Sequence, residues 1–170
     1  MKSIATLRAA QFITMYLYAL VAGVFWGTWF SLSRSIASIT PSTFLEVGHT
    51  MIRNLGGPMS LLMPTAILSN VALSVMLYRQ RHMRAAGLAT AALLLLLGAL
   101  AITLTVNVPI DGEIAAWTVQ RLPPHWEAIR DRWQLYHSLR TFASLLGLGC
   151  AFGSVLAAPA LPRTTRDDGA

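Results

Sequence analysis

Residues 85–110 read AAGLATAALLLLLGALAITLTVNVPI, a run of 26 residues without a charge. A helix needs about 20 apolar residues to cross the hydrocarbon core of a bilayer. Three more charge-free runs accompany this one: 25 residues between Arg8 and Arg34, 25 between Arg53 and Arg79, and 22 between Arg140 and Arg163. Only 12% of the 170 residues are charged and 55% are hydrophobic, whereas an average soluble domain is about 25% charged. The sequence therefore predicts an all-α, integral membrane four-helix bundle forming a single domain over 1–170. Its spans are expected at 12–33, 58–78, 86–106 and 137–158, with short amphipathic helices in the two outer connections. Residues 159–170 are expected to be a flexible cytoplasmic tail.

The third span is the most lipid-like and is expected to be the most exposed to acyl chains. The first carries Gln11, Thr14, Tyr16, Tyr18, Thr28 and Ser31, so part of it should face protein. Gly23-x-x-x-Gly27 and Gly149-x-x-x-Gly153 are spaced to permit close helix contacts. Lys2 and Arg8 give the chain a basic start, yet the apolar run that follows exceeds a signal-peptide core, so a retained helix is expected. Orientation follows from short basic loops. The compact turn YRQRHMR, residues 78–84, holds Arg79, Arg81 and Arg84 and no acid, whereas the opposite connections mix arginines with Glu46, Asp111, Glu113, Glu127 and Asp131. A multi-pass protein of the cell membrane with both termini cytoplasmic is the expectation.

A net charge of +6 invites a nucleic-acid reading, but the basic residues are scattered around helix ends and form no strip. They suit the headgroups of the lipid bilayer, the expected partner. The single cysteine, Cys150, sits in an apolar run and rules out a disulfide framework within one chain. No phosphate-binding glycine loop, nucleophile elbow or haem-attachment motif is present.

The outer connections carry the chemistry. In TPSTFLEVGHTMIRNLGGP, residues 40–58, Thr40 or Thr43 can cap a helix, Pro41 suits its first turn, and Thr43-x-x-Glu46 reads as a capping box. Gly56-Gly57-Pro58 is expected to end that helix or bend it into the second span. After the third span, Pro109 and Asp111-Gly112 are expected to turn the chain, and Pro123-Pro124 precedes a helix starting near His125. Along that helix Trp126, Arg130, Trp133, His137 and Arg140 recur at steps of four, three, four and three, which places them on one face. Two readings stand. Tryptophans can anchor at the interface while arginines snorkel. Alternatively, because an arginine within a span costs about 2.5 to 3.5 kcal/mol at the bilayer centre, Arg140 turns inward and the stripe roofs a polar pocket near Glu46, Asn107 and Asp111.

NVPIDGEIAAW, residues 107–117, followed by PPHWEAIRDRWQLYHSLR, residues 123–140, resembles the anthrone oxygenase-like family of small four-helix membrane proteins. Asn107, Pro109, Ile110, Trp126, Arg130, Trp133, His137 and Arg140 carry the resemblance. It implies an oxidoreductase that uses dioxygen to convert a planar hydrophobic anthrone to an anthraquinone. Chemistry of that kind needs a base and donors for a developing oxyanion. His137, or else His49, is the expected base, Arg140, Arg130 and Asn107 are the expected donors, and Trp126, Trp133 and His49 are expected to bind an aromatic small molecule in a pocket opening at the outer leaflet. The cofactor is none or unknown, and a non-haem metal held by Glu46, His49 and His137 is a minor alternative. A non-enzymatic accessory or small-molecule-handling protein, with the stripe as anchor alone, is the alternative from another class. Substrate and oligomeric state are left open.

Overall fold

The computed structural model describes residues 2–33 and 35–158, without the side chains of Lys2 and Ser3. Arg34 and the 159–170 tail, with Arg163 and Arg166, lie outside the described residues. The described chain is helical throughout its elements: α1 (Lys2–Thr28), α2 (Pro41–Arg79), α3 (Met83–Ile102), α4 (Val108–Ala116) and α5 (Trp126–Ala157). Two π turns, Trp29–Ser33 and Thr103–Asn107, extend α1 and α3 at the same end of the bundle, and a 3-10 turn, Val119–Arg121, precedes α5. Four helices are long and apolar enough to cross a membrane, over Ile4–Ser33, Pro41–Arg79, Met83–Ala116 and Trp126–Ala157. The protein is a multi-pass membrane protein.

α1 and α3 each pack against both α2 and α5, so the four long helices close a ring in which α1 faces α3 across the diagonal. Three apolar clusters stack along it. Leu7, Leu73, Leu77, Ala85 and Ala89 fill the end that holds the α2–α3 turn. Tyr18, Val21, Phe25, Met63 and Leu96 fill the middle. Ile36, Phe44, Ile110, Ile114 and Trp117 cap the opposite end.

Several elements differ from what the sequence predicts. α2 runs unbroken through Gly56-Gly57-Pro58 and Pro64. Both prolines are exposed, so neither ring meets packed neighbours, and spanning helices tolerate the lost N–H groups. The third span likewise continues: Pro109 occupies the first turn of α4, where no N–H is required, and the helix ends only at Ala116. Thr40 is the cap of α2, its Oγ1 accepting from the Thr43 N–H at 3.3 Å. Glu46 therefore sits too far along for a capping box and is exposed.

The glycine contacts differ as well. Gly23, Gly27 and Gly149 face open space, and of the two expected pairs only Gly153 meets a neighbour, Leu88 at 3.3 Å. The closest approach is at Gly147, against the Tyr18 ring. Tyr18 threads between helices to donate to the Ala92 carbonyl at 3.1 Å. Nor is α3 the most exposed span. Its alanines 85, 86, 89, 92 and 99 are buried, because small side chains let it lie close to α2 and α5 at once.

Candidate functional site

Between the middle cluster and the cap the helices part to leave a cavity of about 610 Å³. Its walls are mostly aliphatic and aromatic, with Phe25, Ile36, Phe44, Met59 and Met63 among them. One side is different. There the π turn after α3 brings Thr103, α4 brings Asp111, and α5 brings Trp133, His137 and Arg140 to the same wall. π turns recur at functional sites because the extra residue re-aims the side chains beyond it.

Arg140 is the centre of this wall. It is 8% exposed and its planar fork is engaged at two points. Nε donates to His137 Nδ1 at 3.2 Å, and Nη1 donates to Thr103 Oγ1 at 3.0 Å. Its guanidinium carbon stands 4.6 Å from the Phe25 ring centroid, a cation–π placement that partly replaces lost water. Among the described residues no carboxylate lies within ion-pairing distance of it, and its Nη2 makes no protein hydrogen bond. Asp111, on the same cavity wall, accepts from Trp133 Nε1 at 2.8 Å through Oδ1. Its Oδ2 accepts from no described residue.

His137 is held on every side. Its ring stacks on Trp133 with centroids 4.9 Å apart and meets Phe25 edge-on at 6.4 Å. Arginine has no acceptor, so the bond from Arg140 requires a lone pair on Nδ1 and leaves the hydrogen on Nε2. Nε2 is buried and has no partner. One nitrogen is committed to Arg140 and the other is closed off, so the ring has no free acceptor. In this geometry His137, the expected base, has its Nδ1 lone pair occupied by Arg140.

The remaining expected site residues form the wall's support. Asn107, wholly buried, donates to the Trp133 carbonyl at 3.2 Å. Arg130 pairs with Asp131 at 2.8 Å and lies 5.1 Å from the Trp126 ring centroid. Trp126 packs on Phe44 at 5.4 Å. His49 Nε2 bonds to the Ile114 carbonyl at 2.9 Å. None of these four lines the cavity. Of seven residues expected to act on substrate, the structure brings Trp133, His137 and Arg140 to the cavity and puts Asn107, Arg130, Trp126 and His49 behind it.

The grouping of Glu46, His49 and His137 as metal ligands does not assemble. Glu46 is exposed and His49 is tied to Ile114, and among the described residues no three His, Cys, Asp or Glu side chains gather as a ligand set. Sequence reasoning passed over Asp111 as a site residue, although it lies one helical turn beyond Asn107 and carries the one acid of the NVPID segment. Thr103 gave no signal, because a threonine in an apolar span ordinarily bonds its own helix. It does so here too, donating to the Ala99 carbonyl at 2.8 Å while accepting from Arg140.

Residues 56–150, more than half of the chain, match the family model described as anthrone oxygenase. The chain belongs to the anthrone oxygenase family. The matched stretch begins at the Gly56 turn of α2 and takes in α3, α4 and the part of α5 that holds Trp133, His137 and Arg140, so the family pattern covers the polar wall. No curated protein and no solved structure matches the chain.

Proposed function

We propose that this anthrone oxygenase family member oxidises a planar, membrane-soluble substrate with an enolisable ketone, of the anthrone kind, in the cavity between its helices. The observation that carries the proposal is the meeting of a buried arginine, without a carboxylate partner, and a carboxylate on one wall of an otherwise apolar cavity. An anthrone carries a CH₂ between two rings, opposite a carbonyl. Asp111 accepts a proton from that carbon, and Arg140 holds the oxygen on which the negative charge collects. A charge-assisted donor fixed in a dry site stabilises such an oxyanion far better than water does, because it needs no reorganisation. Trp133 and Phe25 offer aromatic surfaces to the rings.

The carbanion then reacts with dioxygen. One oxygen atom becomes the new carbonyl, the other leaves as water, and the four electrons lost by the carbon reduce the one dioxygen consumed. Arg140 and Asp111 have the catalytic roles. His137 and Asn107 position them, and Arg130, Trp126 and His49 hold the wall. A bilayer with the cavity end in its outer leaflet and both termini in the cytoplasm completes the reading, and it rests on the basic turn at Arg79 to Arg84.

The test is oxygen uptake and quinone absorbance with the purified protein in vesicles and anthrone as substrate. Faster uptake than in protein-free vesicles, matched one to one by quinone, is expected. Arg140→Lys keeps the charge but loses the fork that serves His137 and Thr103 together. One charge-assisted bond of about 2 kcal/mol corresponds to a rate loss of roughly 30-fold. Arg132→Lys, on an exposed residue, should change nothing. A protein that leaves the anthrone rate at the vesicle background sinks the proposal and favours a non-enzymatic role.

A further inference from the structure

The cavity is closed above and below by different means. Toward the end of the bundle, Ile36, Phe44, Ile110, Ile114 and Trp117 form an apolar cap, each 8% exposed or less. Toward the middle, Tyr18, Val21, Phe25, Met63 and Leu96 fill the space. Every wall residue contributed by α1, by the 36–44 segment near the cap and by α5 is buried or half-buried.

The exposed wall residues all lie on two facing elements. On α2 they are Gly56, Ser60 and Pro64, one row at steps of four. Across from them are Leu104, Val108 and Gly112, again at steps of four, with Ala115 beyond. Such steps trace one edge of a helix. Leu104 is 57% and Val108 49% exposed although both line the cavity. A Cβ added to Gly56 or Gly112 would meet nothing within 4 Å. None of these residues is charged, and all fall within helices long and apolar enough to cross a membrane.

We infer that the cavity is loaded sideways from the bilayer, through a mouth between α2 and the α3–α4 arm framed by Gly56, Ser60, Pro64, Leu104, Val108 and Gly112. The substrates it takes are therefore molecules that dissolve in the hydrocarbon, and polar conjugates of the same ring system are excluded. Small residues on the α2 side leave room for a flat body, and Pro64, which has no N–H for the Ser60 carbonyl, weakens the helix where the wall must give. The cap explains the asymmetry. Opening it to water would expose five large apolar side chains, whereas the side mouth faces a solvent as apolar as its own rim. This inference rests on the cavity being the substrate site.

The test needs no turnover. Met63, 2% exposed, lines the cavity, so a thiol placed there is reached only through it. Met63→Cys is made with Cys150→Ala, reconstituted in vesicles and treated with N-(1-pyrenyl)maleimide or with a sulfonated, membrane-impermeant maleimide. Labelling is read by intact mass. The pyrenyl reagent is expected to react about tenfold faster or more, since it concentrates in hydrocarbon. Gly56→Leu and Gly112→Leu narrow the mouth from positions where an added Cβ meets nothing within 4 Å, and they improve helix propensity. Together they should slow pyrenyl labelling about tenfold, and each alone should slow it in the same direction. Gly98→Leu, exposed on α3 away from the cavity and equally open around its added Cβ, should have no effect.

Faster or equal labelling by the sulfonated reagent, or labelling indifferent to both leucines, overturns the mouth and leaves the cavity as the substrate site. A thiol that neither reagent reaches until the protein is denatured overturns both.

Discussion

Asp111→Asn separates a proton acceptor from a wall residue. In the structure Asp111 Oδ1 takes the Trp133 Nε1 hydrogen bond at 2.8 Å, and Oδ2 is the oxygen left for a substrate proton. Asparagine keeps an oxygen for Trp133 and replaces the other with an amide that accepts nothing, so the geometry of Trp133 and of His137 stacked on it survives. The stability cost is the difference between a bond to a charged and to a neutral acceptor, about 1 kcal/mol. Loss of a positioned base costs about 10²- to 10⁴-fold in rate. Anthrone-dependent oxygen uptake should therefore fall at least a hundredfold at saturating substrate, within the range expected for a lost base. The thermal midpoint should move only by the few degrees that about 1 kcal/mol implies. Uptake within about threefold of the unmodified protein would refute the assignment. If His137→Gln abolished turnover while Asp111→Asn did not, the imidazole would be the acceptor after all, and the bond to Arg140 would have to open during the reaction.

Three further outcomes test the frame around the site. Arg81 closes α2 at φ 60°, with His82 N–H bonded to the Leu77 carbonyl and Arg81 N–H to that of Tyr78, so Arg81→Gly should raise unfolding stability by about 1 kcal/mol in detergent. Gly147→Ala would set a Cβ 2.8 Å from Tyr18 Cζ and 3.2 Å from Leu95 Cβ. It should destabilise by about 2 to 4 kcal/mol, and Tyr18→Phe, which removes the hydroxyl that collides, should restore part of the loss in a double-mutant cycle. Trp126→Ala, which strips the packing behind the wall residue Phe44 and on Arg130 but does not itself line the cavity, should cost about 2 kcal/mol of stability. Its turnover at saturating anthrone should fall far less than that of Asp111→Asn.

The four spans are legible because bilayer thickness imposes a length on every charge-free run, and nothing else in the chain competes with that signal. Their limits are less so. Proline and glycine, which end or bend helices in water, suggest an end or a bend at Gly56-Gly57-Pro58 and a turn at Pro109, yet both helices continue. The hydrocarbon penalises broken backbone more than it penalises two missing donors. The stripe on α5 was legible as a face, since Arg130, His137 and Arg140 are all buried. Its spacing could not say which of the five residues reach the cavity. That depends on depth along α5: Trp133, His137 and Arg140 line the cavity, whereas Trp126 and Arg130, nearer the start of the helix, do not. The setting of His137 was hidden for a different reason. A sequence places His137 three residues from Arg140 but does not say that the arginine turns its Nε onto the imidazole.

Taken for stability alone, the polar wall is badly composed. Arg140 has been removed from water and given a histidine nitrogen, a hydroxyl and an aromatic face, with Asp111 within electrostatic reach but beyond ion-pairing distance. A buried ion pair would usually demand closer geometry, and an apolar side chain of the same volume would be at least as stable. Beside it His137 Nε2 is buried without a partner, at a cost of about 1 to 3 kcal/mol. Unsatisfied groups of this kind are few in a native protein and tend to collect where function overrides packing. The deficit also has a sign. Arg140 retains donors and Asp111 retains an acceptor, and they face the same apolar cavity. A ligand that completes the wall must offer an oxygen able to carry negative charge and a proton to give up, both on a body the hydrocarbon accepts. An enolisable aromatic ketone meets those three conditions. A simple lipid chain meets only the last, and for that reason the wall is better explained by chemistry than by anchoring.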